Sequence, residues 1–94
     1  MEKGNFKKAN FMNTDLEEAN IRKAKLIGAN LINANLKGAD LEEAHLEGTD
    51  IVWAILEKAN LTKSHLVGAD LIGTNLEDAD LSKADLKIAK LCRS

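Results

Sequence analysis

Ala29-Asn30-Leu31-Ile32-Asn33-Ala34-Asn35-Leu36-Lys37-Gly38-Ala39-Asp40-Leu41 repeats a five-residue unit: a small residue, an Asn or Asp, a leucine, then two residues of mixed character. Followed outward in both directions, the large apolar slot never breaks. It holds Phe6, Phe11, Leu16, Ile21, Leu26, Leu31, Leu36, Leu41, Leu46, Ile51, Leu56, Leu61, Leu66, Leu71, Leu76, Leu81, Leu86 and Leu91, the expected structural core. The residue two before each is Ala, Gly, Ser or Thr, from Gly4 to Ala89. An internal repeat of this kind decides the architecture before any element is assigned.

A period of five excludes the ordinary elements. Five steps along an α-helix rotate a side chain by about 140° from the last apolar position, so no buried stripe forms. In a flat strand an odd period sends successive leucines to opposite faces. The backbone must turn a corner within each repeat, so that every leucine again points inward. Small residue and leucine, two apart, share one face of a short extended segment. The residue between them faces outward and is Asn or Asp in thirteen repeats. The two residues after the leucine make the corner. Gly28, Gly38, Gly48, Gly68 and Gly73 occupy the second corner position, as do Asn13 and Asn33. These residue types tolerate the positive φ that a type II turn needs at its third residue.

The first corner position shows how many sides close one coil. Met12, Ile32, Val52, Ile72 and Cys92 are all apolar and twenty residues apart, while Ile27 and Val67 share a neighbouring column forty apart. Spacings of fifteen or twenty-five scatter these residues among charged ones. Four sides of five residues give clean columns, including His45 above Lys25 and His65 above His45. Eighteen repeats at four per coil make about four and a half coils, each stacked on the last at the strand spacing of roughly 4.8 Å. Such stacking needs nearly every N–H for the ladder between coils, which explains a chain without proline where average usage would place about five.

The recurring Ala-(Asn/Asp)-Leu-x-x, as in Ala19-Asn20-Ile21, Ala29-Asn30-Leu31, Ala39-Asp40-Leu41, Ala69-Asp70-Leu71 and Ala79-Asp80-Leu81, resembles the pentapeptide repeat family along nearly the whole chain. The resemblance implies an all-β fold, a right-handed quadrilateral β-helix; the handedness comes from the family alone. The chain departs from the pattern at the middle slot of Lys25, His45, Ile55, His65 and Lys90, which faces outward and bears on the surface rather than the fold.

Uninterrupted periodicity over residues 1–94 implies a single domain. The first twenty residues lack the apolar core of a signal peptide, and no stretch approaches a membrane span. One cysteine excludes an internal disulfide, and a net charge of −2 offers neither a basic patch for nucleic acid nor a strongly acidic field. A cytoplasmic protein is expected, with no nucleic-acid, membrane or small-molecule partner.

Chemistry-bearing groups are sparse. His45 and His65, stacked one coil apart with Asp85 above and Lys25 below, could offer a metal three ligands, but the site would be flat and open and Lys25 would repel a cation. Solvated surface histidines are the reading adopted, with no metal and no cofactor. Glu47 is taken as an inert exterior residue. Cys92 has no base nearby to activate it. A filled tube offers no concave pocket, and no nucleophile-base set or paired carboxylates occur, so catalysis is not expected.

The surface feature that stands out is the outward stripe of Met12, Ile32, Val52, Ile72 and Cys92, widened by Trp53 and Ile55, with Gly73 leaving space above Trp53. An apolar column with an exposed tryptophan suits a contact surface, whereas the plainer reading has these side chains stacking only on each other. Glu17, Lys37, Glu57, Glu77, Arg22 and Glu42 hold the same slot on the other faces. Phe6 and Phe11 are placed to plug the lower end of the tube. Few residues are available beyond the repeats to cap the upper end near Leu86 and Leu91, so end-to-end pairing rivals pairing through the stripe. The expected function is a non-enzymatic structural or interaction module, a rigid rod acting as a homodimer or on an unknown protein partner. The alternative implied by the family is a DNA mimic that binds DNA gyrase and confers quinolone resistance, though this chain is short and nearly neutral. The regularity also suits a domain of a longer protein or a regularised design.

Overall fold

The computed structural model describes residues 1–91; Cys92 lies outside the described residues. Each repeat contributes one bridging residue, and all fourteen parallel bridges join positions twenty apart, from Asn5 with Lys25 to Asp70 with Lys90. The columns of the sequence are therefore columns of the molecule, with four sides to each coil. No side carries a longer strand, because a corner follows two residues after each bridge.

Three amides per repeat pair with neighbouring coils. The core leucine donates upward, as Leu26 N to His45 O at 2.7 Å; the bridging residue donates downward, as Asn30 N to Ala9 O at 2.9 Å; and the second corner residue donates upward, as Asn33 N to Val52 O at 2.9 Å. A fourth closes the corner, as Ala34 N to Leu31 O at 3.1 Å. The fifth, on the first corner residue, is met by a side chain. All thirteen Asn and Asp residues of the middle slot accept from the amide two residues on, as Asn30 Oδ1 does from Ile32 N at 2.9 Å. This is the Asx turn, and it gives the recurrence of Asn and Asp a structural cause beyond facing water. Where the slot holds Lys25, His45, Ile55 or His65, no such bond serves Ile27, Glu47, Glu57 or Val67.

Every second corner residue among the described residues has positive φ, from 49° at Ile88 to 73° at Gly73. Five are glycines and thirteen are not, among them Lys3, Glu18, Trp53 and Ile88. The turn is imposed by register, and the local residue tolerates it.

Inside, Ile21 to Leu71 and the alanines beside them are essentially inaccessible. The core residues of the outer coils, Phe6, Phe11, Leu16, Leu76, Leu81 and Leu86, are only half-buried, and Leu91 is 51% exposed. The expected core is thus complete in the middle of the tube and partial in the first and last described coils. At the lower end the Phe6 ring occupies the space that a Cβ on Gly4 would take and meets Phe11 edge-to-face, centroids 5.7 Å apart. Three buried small-slot residues are polar. Thr49 donates to Leu46 O at 2.7 Å and Thr74 to Ile51 O at 2.9 Å, whereas the buried Ser64 hydroxyl has no protein partner.

Candidate functional site: an apolar face and a histidine column

The corner carbonyls of Ile32, Val52 and Ile72 each accept from the coil below, at Asn13 N, Asn33 N and Trp53 N, which holds Met12, Ile32, Val52 and Ile72 in one vertical row. Met12 and Ile72 are more than a third exposed, and Ile32 and Val52 half-buried between them. The shielding of the middle pair is the self-stacking that the plainer reading requires. Trp53 is different: it stands beside the row, 63% exposed, with Ile55 at 39% on the adjoining face. A Cβ on Gly73 would lie 2.7 Å from Trp53 Cε3, so the indole lies flat over the glycine one coil above, as the spacing predicts. Below it, the same column is closed by the Asn33-to-Asn13 side-chain bond of 2.7 Å. Met12, Ile72, Trp53 and Ile55 are thus exposed apolar side chains on this corner and the adjoining face. Cys92, the upper end of the expected stripe, is beyond the described residues.

Other columns pair charge with charge. Arg22 lies 3.3 Å from Glu2 below and 3.4 Å from Glu42 above, and Lys23 is 3.7 Å from Glu43. All are partly exposed, and such pairs contribute little individually. The Asp80 carboxylate accepts from both the hydroxyl and the amide of Ser82, at 2.6 and 2.9 Å, and these bonds hold its pKa below the ordinary aspartate range. That is a turn interaction on an open surface, not an acid–base pair.

On the face preceding the apolar row, the His45 and His65 rings stack in parallel, centroids 4.4 Å apart and 3° from coplanar. The third group beside them is Glu47, not Asp85: Glu47 Oε2 is 3.6 Å from His45 Nδ1, and one ligand atom from each of His45, Glu47 and His65 lies within 4.8 Å of the others. Glu47 is half-buried, and its Oε1 is buried without a partner. The sequence signal was present, since residues flanking Leu46 at i and i+2 share a face.

A family model for pentapeptide repeats matches residues 1–31, 24–62 and 54–91. The chain belongs to the pentapeptide repeat family. Solved relatives include Rfr23, a pentapeptide repeat protein of the cyanobacterium Cyanothece 51142, at 34% identity over 96% of this chain and 62% of that one, with a TM-score of 0.91. A pentapeptide repeat protein of the Arabidopsis thaliana thylakoid lumen is 36% identical over 95% of this chain and 66% of that one, TM-score 0.80. One from Nostoc PCC 7120 is 35% identical over 80% and 62%, TM-score 0.68. The chain spans under two thirds of the length of each. No curated protein sequence matches it. Among the described residues no helix is long and apolar enough to cross a membrane.

Proposed function

We propose that this pentapeptide repeat protein is a non-enzymatic interaction module: one right-handed quadrilateral β-helix of about four and a half coils that uses its apolar face to bind a second copy or a protein partner. The observation that carries the reading is Trp53, 63% exposed on a laddered corner, with Ile55, Ile72 and Met12 also exposed. A large aromatic buries much apolar area for only two side-chain torsions, and tryptophan is enriched in contact hot spots. The ladder on which it stands cannot rearrange without breaking bonds between coils, so the surface is preorganised.

The tube is a stub rather than a rod, with extents of 30 × 25 × 22 Å. A net charge of −2 weighs against mimicry of duplex DNA and a gyrase target. Pairing through the upper end, near Leu86 and Leu91, is the competing contact. Composition supports a cytoplasmic setting, although one relative comes from a thylakoid lumen.

The double substitution Val52→Lys with Ile72→Lys tests the reading. Both side chains point outward, so the circular dichroism spectrum is expected to stay unchanged while the sedimentation mass falls from dimer to monomer. An unchanged mass with intact folding removes the stripe as the self-association surface, and Leu91→Lys then tests the coil end.

A further inference from the structure

We propose that His45, His65 and Glu47 form a binding site for one divalent transition-metal ion of the zinc class, a staple between two successive coils. Two imidazoles and a carboxylate are the donor set that zinc takes when water fills its remaining position. The backbone beneath them is fixed: His45 and His65 are bridged, Leu46 N donates to His65 O at 2.7 Å, and Gly48 N donates to Val67 O at 2.9 Å. Only rotamers need to move. A tetrahedral ion with bonds near 2.1 Å places its ligand atoms about 3.4 Å apart, so atoms now within 4.8 Å must draw together by at most about 1.4 Å.

Glu47 supplies the independent indication. It lies between Ile27 below and Val67 above in its column, so no lysine or arginine stacks on it, and Oε1 is buried with no donor. The carboxylates of Glu2, Asp40, Glu42 and Glu43 have a cation within 4 Å and many others face solvent, but among the described residues only Glu47 has a carboxylate oxygen buried without a partner. Glu47 has only His45, which is an acceptor for a metal whenever it is unprotonated. Along the histidine column the nearest charges are Lys25 one coil below and Asp85 one coil above, and they offset one another. With neutral imidazoles the three ligands carry a single negative charge, which a divalent cation satisfies.

The test is calorimetric titration of the full chain with Zn²⁺ at pH 7.5, together with the imidazole proton resonances, which belong to only two residues because the chain has two histidines. One equivalent is expected to bind, shifting both sets of resonances, and binding should weaken on acidification as protons compete for the imidazoles. His45→Asn and His65→Asn are each expected to weaken binding by at least about tenfold. Both should fold normally, since Asn is a natural occupant of this slot. Glu47→Gln should weaken binding less, while Asp85→Asn and Cys92→Ser should leave it unchanged. The proposal is overturned by no saturable binding up to about 1 mM Zn²⁺, by binding that survives either histidine substitution, or by binding lost in Cys92→Ser.

Discussion

Gly48 and Gly73 hold the same corner slot, at φ 64° and 73°, yet differ in what a side chain would meet. A methyl on Gly48 has open space to 4 Å, so Gly48→Ala should cost only the left-handed backbone penalty, about 1 kcal/mol in urea denaturation. A methyl on Gly73 would enter the Trp53 ring, which is free to swing outward. Gly73→Ala is therefore expected to shift the emission of Trp53, the single tryptophan, while Gly48→Ala leaves it unchanged. Identical spectra would show that the indole does not rest on Gly73 in solution. The five corner glycines and Asn13 and Asn33 were legible in the sequence because their chemistry advertises positive φ. Lys58, Glu43, Trp53 and Ile88 were not, since nothing in those side chains asks for it; the turn is dictated by the coils above and below. Ile88 is the most strained of them, being β-branched in a left-handed corner.

Within one repeat, the middle-slot side chain decides whether all five amides are bonded. Asn75 makes one such contact, accepting from Glu77 N at 3.0 Å on an exposed face. Asn75→Ala should therefore lose about 1 kcal/mol, the net value of one hydrogen bond, without disturbing the core. Ile55 lacks that acceptor and exposes apolar surface, so Ile55→Asn should gain up to about 1 kcal/mol. If thermal melts place both variants level with the parent, solvent serves these amides equally well and the Asx bond does not select the residue. Periodicity alone marked this slot as outward-facing, since an alternating face can be read from spacing. It does not give the reach of a carbonyl oxygen to the amide two residues on. The same limit hid Glu47 beside the histidines: columns at twenty residues relate like slots and leave unlike slots, one corner apart, unexamined.

Across the whole tube each coil touches only the coil above and the coil below, so stability is a sum of neighbour contacts rather than a property of one central core. The period of five and the columns at twenty made this architecture legible, but not the gradient along it, because each repeat reads alike wherever it falls. Leu46 is sealed between stacked coils, and Leu46→Ala should cost about 2–5 kcal/mol. Leu86, half-buried in the last described coil, has less to lose, and Leu86→Ala should cost clearly less. Amide exchange should show the same gradient. Ala44 and Ala54 make corner bonds that are buried between stacked coils, whereas Ala84 and Ala89 make the same bonds in a half-buried outer coil. The first group is expected to exchange slowest and the second fastest, since opening an outer coil breaks one stacking interface and opening a middle coil breaks two. Uniform protection along the chain would mean instead that the tube opens as a single cooperative unit, and the additive account of neighbouring coils would fail.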